Sequence, residues 1–130
     1  SYLAKSELFF FPIGKFLKWT GGVPVDRSSK NNLVKQISDI FKKRNEFRLS
    51  LSPEGTRKRV DKLKTGFYYI ALEAKVPIIL MTLDYKNKQT LISEPFYPTN
   101  NKDADFKYIN NYFYGVVGKV KEYSFFDKNN

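Results

Sequence analysis

The sequence predicts an α/β fold: a mixed, mainly parallel sheet flanked by helices. Three observations carry this expectation. Helix-like and strand-like segments alternate along 130 residues, a length that suits one domain. Residues 76–83 form a continuous apolar run that opens on Val76-Pro77, the pattern of an interior parallel strand. Residues 31–44 hold the clearest amphipathic helix, with Leu33, Val34, Ile37, Ile40 and Phe41 on one face.

The elements follow in order. Residues 1–6 suit a short strand. Residues 15–20 suit one or two helical turns after Pro12, ended by Gly21-Gly22. Residues 22–26 then read as a second short strand. Ser28 or Ser29 is placed to cap the helix at 31–44. Residues 47–52 alternate Phe47, Leu49 and Leu51 with Arg48, Ser50 and Ser52, the period of a half-buried strand. Residues 53–64 are a charged loop. Thr65 is placed to cap a helix at 66–75 that is apolar nearly all round and therefore buried on more than one side. Residues 90–93 suit a short edge strand after a turn at Lys86-Asn87-Lys88. A helix over about 103–117 carries the stripe Phe106, Ile109 and Phe113. Residues 1–122 are expected to form one domain, incomplete at its N-terminal end, and residues 123–130 a C-terminal tail.

Composition excludes several chemistries. The chain has no cysteine, so it holds no disulfide, thiol nucleophile or Cys-ligated metal. It has no histidine, so it holds no Ser-His-Asp triad, no His general base and no His-ligated zinc. Twelve Phe and nine Tyr argue for a packed core rather than a disordered chain. Lys plus Arg outnumber Asp plus Glu by 23 to 13, and a charge of +10 favours an anionic partner. No apolar run approaches the roughly 20 residues that cross a bilayer. No transmembrane segment or signal peptide is therefore expected in this chain. The chain reads as a cytosolic or peripherally attached domain.

Two segments carry the chemistry. Ser52-Pro53-Glu54-Gly55-Thr56-Arg57 follows a predicted strand. Gly55 admits a ligand close to the backbone. Thr56 offers a hydroxyl and an N–H, and Arg57 can grip a phosphate with two parallel hydrogen bonds. The same residues also suit an ordinary strand-to-helix turn in which Glu54 pairs with Arg57. Residues 21–27, Gly-Gly-Val-Pro-Val-Asp-Arg, place Arg27 beyond the C-terminal end of a strand, where open α/β sheets bind ligands. An exposed Asp26–Arg27 pair is the plainer alternative. Arginine is scarce: only Arg27, Arg44, Arg48, Arg57 and Arg59. Placing it just after both strand-end turns fits bidentate phosphate recognition. Residues 42–64 carry nine basic side chains against three acidic ones, which suits a solvated face, a phosphate pocket or a membrane-facing patch.

In order, Gly22-x-x-x-Asp26-Arg27, Ser52-Pro53-Glu54-Gly55-Thr56-Arg57, Lys64-x-Gly66 and Val76-Pro77-Ile78 resemble the glycerophosphate acyltransferase family over about residues 2–97. The resemblance covers the second, third and fourth of that family's four ordered blocks. It implies a glycerolipid acyltransferase-like α/β fold. It also implies transfer of an acyl group from acyl-CoA or acyl carrier protein to a glycerophosphate or lysophosphatidic acid acceptor. Arg27 is implied on the acceptor phosphate. Glu54, Gly55, Thr56 and Arg57 are implied on its glycerol-phosphate part, with Lys64 adding a cation. Val76, Pro77 and Ile78 belong to a block tied to the acyl donor or to packing beneath the site. They also suit the plain start of a core strand. No metal and no bound cofactor is implied.

One departure bears on mechanism. The family's first block is His-x-x-x-x-Asp, whose His is the general base. No such block exists here, since the chain contains no histidine. The expectation is that Ser1 is an internal residue of a longer protein and that these 130 residues alone are inert. The other account is a native short chain without its catalytic block. The rival function is a non-catalytic module for anionic lipid or phosphate. Nucleic acid is a poorer partner, because Tyr and Phe fall mostly at core spacings.

Overall fold

The computed structural model describes residues 2–5, 15, 16, 19, 22–25, 30–56 and 58–125. The chain divides into two compact units, residues 1–51 and 52–130.

In the first unit, β1 (Tyr2–Lys5) and β2 (Gly22–Val25) pair in parallel, with Tyr2 opposite Gly22 and Lys5 opposite Val25. A parallel pair needs a long crossover. Residues 6–21 supply it, and Lys15, Phe16 and Trp19 within them are helical. Helix α1 (Lys30–Lys43) packs against β2. Its predicted face is the buried one: Ile37 is fully buried, and Leu33, Val34, Ile40 and Phe41 are half-buried. The buried Ser38 hydroxyl donates to the Val34 carbonyl at 2.9 Å, satisfying itself one turn back. Lys42 and Lys43 sit in the last turn, where cations suit the helix dipole. Phe47 folds back against this end, its ring 4.7 Å from that of Phe41, with the Arg44 guanidinium 5.3 Å from its centre. Ser28 and Ser29, the expected caps, lie outside the described residues.

The strand expected at 47–52 is not formed. Phe47 and Leu49 are half-buried and Arg48 and Ser50 exposed, but Leu51 is exposed as well, so the alternation stops before it. Among the described residues no ladder joins them, and side-chain period alone does not make a strand.

In the second unit, helix α2 (Gly66–Ala74) buries Tyr68, Ile70 and Ala71. Thr65 precedes it in helical conformation and makes no side-chain cap, contrary to expectation. The helix stops at Lys75, which takes the left-handed conformation at φ 56°. The Lys75 N–H donates to the Leu72 carbonyl and the Val76 N–H to that of Ala71, a Schellman closure with Pro77 just beyond.

The run at 76–83 is not an interior parallel strand. Ile78 exchanges two backbone hydrogen bonds with Phe96, at 2.7 and 2.8 Å, in an antiparallel bridge. Beyond it β3 (Met81–Asp84) pairs antiparallel with β4 (Gln89–Ile92), Met81 opposite Ile92 and Asp84 opposite Gln89. The Asp84 carboxylate is the cause. It accepts from the N–H groups of Lys86 and Asn87 and, at 2.7 Å, from the Asn87 side chain, and so folds the expected turn tightly. A connection this short permits only antiparallel return. Leu80, Thr82 and Asp84 face inward, while Ile79, Met81 and Leu83 are more than half exposed. The described strands therefore make one parallel and one antiparallel pair rather than one mainly parallel sheet.

Helix α3 (Lys102–Phe113) begins at Asn101, whose side chain accepts from the Ala104 N–H. It ends four residues before the expected 117. Tyr114 is extended and Gly115 takes φ 76°, a left-handed step that breaks the helix. Its predicted stripe is correct. Ile109 is fully buried with Leu63, Leu80 and Phe125, and Phe106, Tyr112 and Phe113 pack around them. Ser124 and Phe125, at the start of the segment expected as a tail, are buried. Among the described residues no helix is long and apolar enough to cross a membrane.

Candidate functional site

The segment 52–64 is a loop held at both ends. The Gly55 N–H donates to the Ser52 carbonyl at 3.1 Å, closing a turn over Pro53 and Glu54. The Pro53 carbonyl accepts from the Lys64 N–H at 2.7 Å, tying the start of the loop to its end. Val60 and Leu63 anchor it from below, Leu63 buried in the core and Val60 packed against it. Apolar anchoring on one side leaves Gly55, Thr56, Lys58, Arg59, Lys62 and Lys64 exposed on the other.

Gly55 is required where it stands. Its φ is 66°, which a side chain resists. A Cβ there would also lie 3.3 Å from Cγ of Lys64. The absent side chain thus makes room for the Lys64 stem, and the structure brings these two expected site residues together. The Thr56 hydroxyl accepts from the Lys58 N–H at 3.2 Å, a local turn that directs chain past Thr56. Glu54 is half-buried, and burial pushes its carboxyl above the ordinary value.

Val76, Pro77 and Ile78 stand on the chain leaving α2. Val76 is spent on the helix closure, Pro77 is exposed, and Ile78 packs on the same core as Leu63 and Val60. Ile78 thus has a packing role. Arg27 and Arg57 lie outside the described residues. A cavity of about 290 Å³ at the hairpin end is lined by Leu83, Asp84, Tyr85, Lys88, Gln89 and Thr90, none of them a residue expected at the site.

Sequence reading missed what fixes the loop. Pro53 is a hydrogen-bond acceptor for Lys64, and Val60 and Leu63 are its apolar anchors. The signal was present: Val60 and Leu63 are the only aliphatic residues between Pro53 and Thr65. It also missed a buried polar cluster. Asp105 accepts from the Tyr68 hydroxyl at 2.9 Å, the Thr99 N–H at 2.8 Å and the Thr99 hydroxyl at 2.8 Å. An acid in the first turn of α3 was the available hint.

The family model described as Acyltransferase matches residues 1–83. A 1-acyl-sn-glycerol-3-phosphate acyltransferase of Cocos nucifera is 30% identical over 87 residues, covering 62% of this chain and 28% of the relative. One of Limnanthes douglasii is 32% identical over 87 residues, covering 62% of this chain and 31% of the relative. The matched part therefore spans less than a third of either relative's length. No solved structure matches.

Proposed function

Because the chain belongs to the acyltransferase family, we propose that it supplies the acceptor-binding part of an enzyme acylating 1-acylglycerol-3-phosphate. The observation that carries this is the Gly55–Lys64 approach inside a loop tied at Pro53, within the segment the family model matches. The names of the two relatives support this acceptor.

In this reading the acceptor phosphate lies over Gly55, where no Cβ intervenes and the Lys64 stem is close, with the Thr56 hydroxyl beside it. Arg57 adds a bidentate contact. Glu54 accepts from the glycerol part. These residues bind and orient. The acceptor hydroxyl attacks the thioester carbonyl of acyl-CoA or acyl carrier protein. A C–O bond forms, the C–S bond breaks, and the thiolate leaves and takes a proton. The base that removes the hydroxyl proton is a histidine in this family, and these 130 residues contain none. They are therefore expected to bind acceptor without turning it over, since general-base help is worth about 10²–10⁴-fold. No metal or resident cofactor is invoked. An anionic membrane surface on the cytoplasmic side would supply the acceptor and receive the product.

The test is a titration with glycerol-3-phosphate. Arg57→Ala is expected to weaken binding about tenfold to a hundredfold, the effect of losing a charge-assisted contact of roughly 1.5–3 kcal/mol. An isotherm like that of the unsubstituted chain would overturn the role of this loop. Affinity for an oligonucleotide that falls steeply with salt, without preference for glycerol-3-phosphate over inorganic phosphate, would favour the binding-module reading.

A further inference from the structure

The loop at 52–64 is held by residues far along the chain. Leu63 is buried in one cluster with Leu80, Ile109 and Phe125. Its chain neighbour Lys64 makes both contacts that shape the loop. Its N–H bonds to the Pro53 carbonyl, and its stem comes close to Gly55. Rigid peptide planes couple adjacent residues, so what fixes Leu63 also fixes Lys64. Leu80 lies within the residues 1–83 that the family model matches, but Ile109 and Phe125 lie beyond them. The chain past α3 is built to bring Phe125 to this cluster. The Tyr85 N–H donates to the Val117 carbonyl at 2.8 Å, tying that segment to the residue after β3. The Gly118 N–H donates to the Ser124 hydroxyl at 3.0 Å, across a 3₁₀ turn at Lys121–Tyr123. Ser124 is buried, and Phe125 beside it is only 7% exposed. A loose tail makes no such bonds.

We propose that Phe125 is a positioning residue for the 52–64 loop: through the cluster that holds Leu63, it keeps Lys64 against Gly55 and Pro53. The ring fills volume that close-packed neighbours reclaim only in part. Its loss lets Leu63 shift, and the Lys64 amide and stem shift with it. The inference rests on the reading above for what the loop binds, and on the packing alone for the bracing.

The experiment measures two things in the 130-residue chain: amide hydrogen exchange at Lys64 and Val76, and affinity for glycerol-3-phosphate. Val76 is the reference because its N–H closes α2 rather than the loop. Phe125→Ala is expected to speed exchange at Lys64 about tenfold more than at Val76, and to weaken glycerol-3-phosphate binding about tenfold. Phe125→Leu refills much of the volume and should return most of both. If Phe125→Ala does not fold, Phe125→Leu against the unsubstituted chain carries the comparison, with effects of about threefold. Ile70→Val, at a residue buried on α2 outside the cluster, is expected to leave the Lys64-to-Val76 ratio and the affinity unchanged. Equal acceleration at Lys64 and Val76 would make Phe125 an ordinary core residue and overturn the proposal. So would unchanged exchange at Lys64, faster exchange there with unchanged affinity, or an equal effect of Ile70→Val. If the unsubstituted chain binds no glycerol-3-phosphate, the reading above fails instead, and the amide comparison still decides whether Phe125 braces the loop.

Discussion

Asp105→Ala is expected to lower unfolding stability by about 2–4 kcal/mol, read as a reduced midpoint in urea. The carboxylate is 3% exposed and accepts three hydrogen bonds that join α2, α3 and the loop before α3. Truncation strands the Tyr68 hydroxyl, on a residue that is 1% exposed. Thr99 is exposed and can turn to water, so most of the cost lies with Tyr68 and the lost charge-assisted bonds. Tyr68→Phe should cost less, about 1 kcal/mol, because it removes one donor and leaves Asp105 its two Thr99 contacts. If Tyr68→Phe costs more than Asp105→Ala, the carboxylate is not the hub.

The same cluster fixes a pH dependence. Burial, the largest single influence, pushes the Asp105 carboxyl up, but the Thr99 N–H and hydroxyl and the Tyr68 hydroxyl together outweigh it. Its pKa therefore lies below the ordinary value. A depressed carboxylate contributes stability that is complete above its unfolded pKa and disappears as pH falls through its folded one. Wild-type stability should therefore decline on acidification below about pH 4 more steeply than that of Asp105→Asn. Parallel curves would show that this carboxylate does not govern acid sensitivity.

Gly55→Val is expected to weaken glycerol-3-phosphate binding tenfold or more and to lower stability by about 2 kcal/mol. The backbone effect comes first. At φ 66° a β-branched residue is strained, whatever room surrounds it. The contact effect is smaller, since the Lys64 stem 3.3 Å from the new Cβ is flexible and can shift. That shift nevertheless moves the ammonium off the place where the phosphate is proposed to lie. Lys64→Ala separates the two effects. It should weaken binding while leaving stability nearly unchanged, because Lys64 is exposed. If Gly55→Val unfolds no more easily and binds as well as wild type, the loop is only a connection.

What could be read from the sequence was local. The face of α1 followed from the spacing of Leu33, Val34, Ile37, Ile40 and Phe41, because helical period needs no partner to be visible. The stripe on α3 followed likewise from Phe106, Ile109 and Phe113. The parallel pair β1–β2 agreed with the strands expected at both places. The ordered blocks at Gly22–Arg27, Ser52–Arg57, Lys64-x-Gly66 and Val76–Ile78 point to the acyltransferase family without any geometry. Tertiary structure alone decided how strands pair. The run at 76–83 reads the same whether its neighbour is parallel or antiparallel, and the Asp84 carboxylate holding a four-residue turn chose antiparallel. The alternation at 47–52 satisfied the strand period yet found no ladder among the described residues. Long-range contacts also decided the fate of Phe125, buried against Ile109, and of Asp105, buried with Tyr68 from 37 positions away. Periodicity reports which face is apolar. Which distant residue lies against that face is settled only by packing, where hydrogen bonds and apolar surface must be satisfied together.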